Sequence, residues 1–129
     1  MVGSAVVRRL EREGCKTLAV DRKCVDLADQ AQMRNWVEDA KPDPIFFAAA
    51  KVGGIYANDT YPANFIYDNL VIEVNIIEAD YRSQAPKLLF LGSSCIYPKF
   101  APQPITEDAL LSGPLEPTNE GTPSPKLPA

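Results

Sequence analysis

Residues 45–92, "IFFAAAKVGGIYANDTYPANFIYDNLVIEVNIIEADYRSQAPKLLFLG", decide the fold of this chain. The stretch opens on a continuous apolar run, "IFFAAA" (45–50), set between turn residues. That is the pattern of a strand buried on both faces of a parallel sheet. The small residues at its end leave room for a ligand or a backbone to approach. A glycine-containing loop, "KVGGIYANDTYP", follows, and then a long helix over about 62–83. "KLLFLG" (87–92) is a second buried strand. Two parallel strands need a crossover of a dozen residues or more between them, usually a helix, and this segment supplies one.

The flanks extend the alternation. Residues 2–13 place Val2, Ala5, Val6 and Leu10 on one side and Arg8, Arg9, Glu11 and Arg12 opposite, as a helix does, with Gly14 as its C-terminal cap. "KTLAV" (16–20) reads as a short strand ending in the polar turn "DRK". A second helix over roughly 29–40 puts Met33, Trp36, Val37 and Ala40 on one face, and "KPDP" stops it. Helix and strand alternate three times, the order of an α/β protein with a doubly wound parallel sheet. Beyond residue 92 the chain opens into "SSCIYPKF" and a proline-rich stretch to 120.

Composition narrows the function classes. The 129 residues suffice for one domain, and 46% apolar with 23% charged residues is ordinary for a globular chain. A net charge of −4 without a basic block argues against nucleic acid or an anionic membrane as partner. A cofactor phosphate needs only one or two local cations and stays allowed. Cys15, Cys24 and Cys95 form no CxxC pair and there is no histidine, so no metal site is expected. The odd cysteine count points to reduced thiols in a cytosolic compartment. The N-terminus becomes charged by its eighth residue, unlike a signal peptide, and the most apolar helix carries Asp68, Glu73 and Glu78, unlike a membrane span.

Three short motifs carry chemistry, each beside a plainer reading. "MVGSAVVRRL" is either a simple helix start or the last third of a G-x-x-G-x-x-G dinucleotide fingerprint, with Gly3 as the glycine that packs helix against strand. In "AVDRKCVDL", Arg22, or failing it Lys23, is placed to hold an adenosine 2′-phosphate; a solvated turn is the alternative, and Cys24 reads as buried filler. "LGSSCIYP" lies past the carboxyl end of a buried strand, where open α/β sheets hold ligands. Its hydroxyls and the Cys95 thiol suit a polarised carbonyl and a proton shuttle, or else form an ordinary strand-end turn.

Together, "AAAKVGGIYANDTYPANFIYDN", "KLLFLGSSCIYPKFAPQPITEDALLSGPLEPTNE" and the opening "MVGSA" closely resemble the GDP-L-fucose synthase family. Its members are bifunctional 3,5-epimerase/4-reductases of GDP-4-keto-6-deoxy-D-mannose among the extended short-chain dehydrogenase/reductases. The resemblance runs from Met1 to Glu120, more loosely between 16 and 44. It implies a partial Rossmann domain over 1–120 that binds NADP(H), a GDP-sugar substrate, a cytoplasmic enzyme and a family-like homodimer. By matched position Ser93 would bond the C4 oxygen and Cys95 would be an acid/base partner of epimerisation. Ala49, Ala50 and Lys51 would lie along the cofactor, Gly3 and Arg22 would face its phosphates, and Asn69 would support the site from behind. Other sugar-nucleotide epimerase/reductases are the alternative.

Departures from the family pattern set further expectations. The family's sheet begins with a strand and two glycines that precede Met1 here, so an incomplete sheet is expected. Each unpaired buried peptide group there costs roughly 1–3 kcal/mol. After "LEPTNE" the family continues into Tyr-Ala-Ile-Ala-Lys, a tyrosine and lysine one helical turn apart. None of Tyr56, Tyr61, Tyr67, Tyr81 and Tyr97 has a lysine four residues on. The family's later histidine and its C-terminal substrate lobe have no counterpart. The expectation is a chain cut at both ends and inactive alone, or one that pairs with an intact subunit. The tail "GTPSPKLPA" (121–129) can be encoded GGT ACG CCA TCG CCA AAG CTG CCG GCA. Read from the third base, the string becomes Tyr-Ala-Ile-Ala-Lys-Ala-Ala-Gly, so the tail reads as the catalytic helix out of frame.

Overall fold

The computed structural model describes residues 2–21, 23–53 and 55–117. In chain order these form helix α1 (Val2–Arg12), α2 (Gln30–Ala40), strand β1 (Pro44–Phe47), α3 (Ile55–Thr60), α4 (Pro62–Ser83) and strand β2 (Lys87–Phe90). Two single 3-10 turns follow, Ser94–Ile96 and Glu107–Ala109. The chain divides into two compact units. Residues 1–50 and 71–91 make the first; residues 51–70 and the chain from Gly92 onward make the second.

The first unit is built on the parallel pair β1 and β2, with Pro44 beside Lys87 and Phe47 beside Phe90. The Leu91 amide extends the pairing by donating to the Phe47 carbonyl at 3.2 Å. The Phe47 and Phe90 rings lie 5.0 Å apart, centroid to centroid, on one face of the sheet. Around Phe47 gather Val25, Met33, Val37, Ile72, Ile76 and Ala79, with Trp36, Ile45, Leu88 and Phe90 at the margin. Met33 and Val37 are the apolar face expected of the second helix, and Val37 is fully buried.

Helix ends follow from local chemistry. Asp29 caps α2, its carboxylate accepting from the amides of Ala31 (2.9 Å) and Gln32 (3.1 Å). Lys41 ends that helix in a left-handed conformation, φ 44°, donating its amide to the Val37 carbonyl before Pro42 forbids continuation. Gly14 caps α1 as expected: at φ 77° its amide meets the Glu11 carbonyl, and Cys15 reaches back to Leu10, both at 3.0 Å. Those two hydrogen bonds form the Schellman pattern, which favours a residue with no Cβ.

Four expectations are corrected. Residues 16–20 form no strand, because a strand is defined by its ladder and the described sheet pairs only β1 with β2. The two strands are also shorter and less covered than expected: Ala48–Ala50 and Leu91–Gly92 lie beyond the ladder and are exposed, and Phe46 and Leu89 are exposed within it, so the pair is not buried on both faces. The loop after Gly53 contains α3, closed by the Thr60 hydroxyl donating to the Tyr56 carbonyl at 2.7 Å and the Tyr61 amide to the Ala57 carbonyl at 3.0 Å. Cys24 is exposed rather than buried, since its turn folds back on Asp21 and leaves its side chain outside.

Helix α4, the long helix expected from the sequence, buries Ile72, Asn75, Ile76 and Ala79 on one side. On its exposed side Tyr67, Leu70, Val74, Ile77 and Tyr81 recur at steps of three and four. In the second unit the chain after Gly92 folds on itself. The Lys99 amide donates to the Pro114 carbonyl at 3.0 Å, and its ammonium pairs with Glu116 at 2.7 Å.

Candidate functional site

In the first unit the carboxyl end of β1 is bare and made of small residues. Ala48, Ala49 and Ala50 are exposed, and a Cβ on Gly3 would stand 3.6 Å from that of Ala48. The start of α1 therefore lies against the end of β1. A helix N-terminus offers free amides to an anion, and the carboxyl ends of parallel strands are where ligands bind. Gly3, Ala49 and Ala50 are thus placed at one end of the unit. Arg22 lies outside the described residues.

Beside Arg22 the turn is held by Asp21, whose carboxylate accepts from the amides of Lys23 (2.8 Å) and Cys24 (3.2 Å). Those bonds, the Lys23 amide first, hold the Asp21 carboxyl below its ordinary range. This carboxylate oxygen is committed to its own turn.

In the second unit Ser93 opens the 3-10 turn that follows β2. Its Oγ accepts from the Cys95 amide at 3.2 Å, with the Ser93 backbone extended at φ −121°, ψ 139°. The Ser93 hydroxyl proton is left to donate to an oxygen outside the turn. Cys95 is a free thiol, and both residues are half-buried. A serine that caps its own turn thus holds the cysteine two residues on in a fixed relation to itself.

Lys51 is also in the second unit, and its side chain is engaged. The ammonium pairs with Asp68 and stands 5.3 Å from the Phe65 ring centroid. Its backbone is gripped by Asn69, whose Oδ1 accepts from the Lys51 amide at 2.6 Å while Nδ2 donates to the Lys51 carbonyl at 2.9 Å. Nδ2 also donates to the Phe65 carbonyl at 2.9 Å. Sequence reasoning placed Asn69 only behind the site and gave Asp68 no part. The signal was present: Phe65, Asp68 and Asn69 stand at i, i+3 and i+4, one face of a helix.

Among the described residues no group of three histidine, cysteine or acidic side chains is gathered to hold a metal ion. No described helix is long and apolar enough to cross a membrane.

The profile of the NAD dependent epimerase/dehydratase family matches residues 1–121. A GDP-L-fucose synthase of Sinorhizobium fredii (strain NBRC 101917 / NGR234) is 58% identical over 120 residues, which are 93% of this chain and 38% of that protein. Among solved structures, the protein DdhaC superposes with a TM-score of 0.87 at 45% identity, covering 93% of this chain and 35% of that one. A GDP-D-glycero-L-gluco-heptose synthase from Campylobacter jejuni, determined in the presence of NADPH, gives 0.83 at 33% identity over 92% of this chain and 35% of that one. The chain spans 38% of the length of that curated relative. Its parallel sheet, its element order and these likenesses make the fold Rossmann-like α/β. A family profile that covers nearly every residue, over a fold of the same kind, has one consequence: the chain belongs to the NAD dependent epimerase/dehydratase family.

Proposed function

We propose that this chain carries the cofactor side and two reacting side chains of an NADP(H)-dependent GDP-sugar epimerase/reductase of the GDP-L-fucose synthase type. The observation that carries the reading is the Ser93–Cys95 turn, which follows β2 in the chain and in which the Ser93 hydroxyl accepts from the amide of Cys95, a free cysteine. The substrate class follows the relative's name, GDP-L-fucose synthase. A 4-keto sugar has acidic protons at C3 and C5, so a positioned acid/base can invert both centres. Ser93 donates to the C4 oxygen and stabilises the enolate that forms; Cys95 exchanges the proton at the epimerised carbon.

The small, exposed residues at the end of β1 fit a dinucleotide, because they let its backbone approach closely. NADP(H), when bound, supplies the hydride for C4. Gly3 and the start of α1 face its phosphates, Ala49, Ala50 and the Lys51 backbone lie along it, and Arg22 holds the 2′-phosphate. The 129 residues contain no Tyr-x-x-x-Lys, the pair that favours phenolate and delivers the proton to C4. We take these residues alone to be inactive in reduction, and the string 121–129 to be the missing helix out of frame. Genomic sequence across codons 118–130 checks the second point: codons that do not give Tyr-Ala-Ile-Ala-Lys one base out of register would end it.

Cytoplasmic placement accords with three free cysteines. A second copy of the chain is our occupant for the exposed stripe of α4, because steps of three and four are what two like helices need to interlock. Five such side chains offer on the order of 500 Å² per copy, just under the roughly 600 Å² a side of the smallest specific interfaces. The association is therefore weak, and sedimentation should show a dimer that dissociates on dilution.

The catalytic test is direct. Purified chain mixed with NADPH and GDP-4-keto-6-deoxymannose should leave absorbance at the NADPH band unchanged. Steady oxidation of NADPH would show that the chain reduces without the Tyr-x-x-x-Lys pair.

A further inference from the structure

The loop that follows β1 is fastened to the first half of α4 by four separate contacts, all within the second unit. Asn69 is 5% exposed and spends both ends of its amide on one residue: it accepts from the Lys51 N–H and donates to the Lys51 C=O. Its remaining donor bond goes to the Phe65 carbonyl one turn earlier, which fixes the side chain on its own helix. Lys51 adds an ion pair to Asp68 and lies over the Phe65 ring. Two residues on, a Cβ at Gly53 would fall 2.7 Å from Phe65 Cζ, so the loop backbone touches the same ring. Between these two anchors Val52 stands 84% exposed.

A side-chain amide that satisfies both backbone polar groups of one remote residue, the N–H of one peptide and the C=O of the next, acts as a local ladder where the described residues supply no strand partner. The backbone N–H and C=O need partners when they leave water. An Asn at this place supplies one acceptor and one donor in the spacing that a peptide presents. Aspartate would keep the acceptor and lose the donor; leucine would lose both.

We propose that Asn69 is a positioning residue for the cofactor: by holding the Lys51 peptide it sets the course of the Lys51–Gly53 loop and thereby the affinity for NADP(H). This rests on the cofactor reading above. Asn69 touches no reacting atom on this account and acts only through the Lys51 backbone.

The test uses the full 129-residue chain as wild type, Asn69→Leu and Asn69→Asp. Amide exchange at Lys51 and calorimetric binding of NADP⁺ are measured on each. The wild type should protect the Lys51 amide and bind NADP⁺. Asn69→Leu should lose protection at Lys51, keep it in β2, and bind about tenfold more weakly or worse, the effect of one to two lost hydrogen bonds. Asn69→Asp separates positioning from general damage. Its Kd relative to wild type at the same pH should fall as pH drops toward 4, where a carboxyl of ordinary pKa, about 3.9, begins to gain a proton to donate to the Lys51 carbonyl.

Unchanged affinity in Asn69→Leu with an unprotected Lys51 would overturn the positioning role and leave the cofactor reading standing. A ratio for Asn69→Asp that does not move with pH would overturn it too, and serves if the leucine variant unfolds. A wild-type chain that fails to bind NADP⁺ would overturn the cofactor reading and the positioning role together.

Discussion

Arg34 on α2 grips Glu78 on α4 with two parallel bonds, Nε to Oε2 and Nη2 to Oε1, each 2.7 Å. Glu78 also meets Arg82 one turn along its own helix. This ion pair ties α2 to the part of α4 that belongs to the first unit.

Stability should therefore fall on the acid side with a Glu78 component. The Arg34 bond, then Arg82, draw the Glu78 carboxyl from 4.5 down to about 2 against the cost of desolvation. A depressed folded pKa means the contribution is complete above pH 4.5 and is lost as pH falls toward 2. Glu78→Gln should lower the unfolding midpoint at pH 7 and converge with wild type near pH 2. Curves that stay parallel through that window would count against the pair.

Asp80 behaves in the opposite sense. Its Oδ1 is buried without a hydrogen-bond partner among the described residues, and burial raises its pKa above 3.8. A raised carboxyl pKa makes the ionised side chain a cost once pH exceeds the folded value, and no cost below the unfolded one. Asp80→Asn should raise the thermal midpoint at pH 7, with the gain shrinking below about pH 4. A midpoint lowered at pH 7 would show that the carboxylate is satisfied in solution.

Gly53→Ala should destabilise by about 1–3 kcal/mol, the ordinary cost of overpacking. The added methyl would sit 2.7 Å from Phe65 Cζ and 3.0 Å from Ala57 Cβ, and Phe65 is itself buried. Phe65→Leu in the same chain should recover part of that loss by shortening the obstructing side chain. Denaturant midpoints of the two single variants and the double variant give the coupling.

Local rules made much of the fold legible, and long-range ones did not. The apolar run at 45–47, the long helix ended near Ser83 and the cap at Gly14 were readable because each depends on residues a few positions apart. Residues 16–20 misled because their apolar composition says nothing about whether a ladder partner is present. Helix α3 was hidden by Gly53 and Pro62, which read as one continuous loop although six helical residues fit between them. Ser93 and Cys95 could be singled out because they follow a strand in the sequence. The grip of Asn69 on Lys51 could not: helical spacing puts Asn69 on one face with Phe65 and Asp68, but with 18 residues between the partners it does not say which backbone that face meets.

If these residues hold NADP(H) as proposed, fluorescence titration of the purified 129-residue chain with NADPH, and with NADH in parallel, should show saturable micromolar binding of NADPH and weaker binding of NADH. The preference should disappear in Arg22→Ala. No saturable binding of NADPH would contradict the proposed cofactor role.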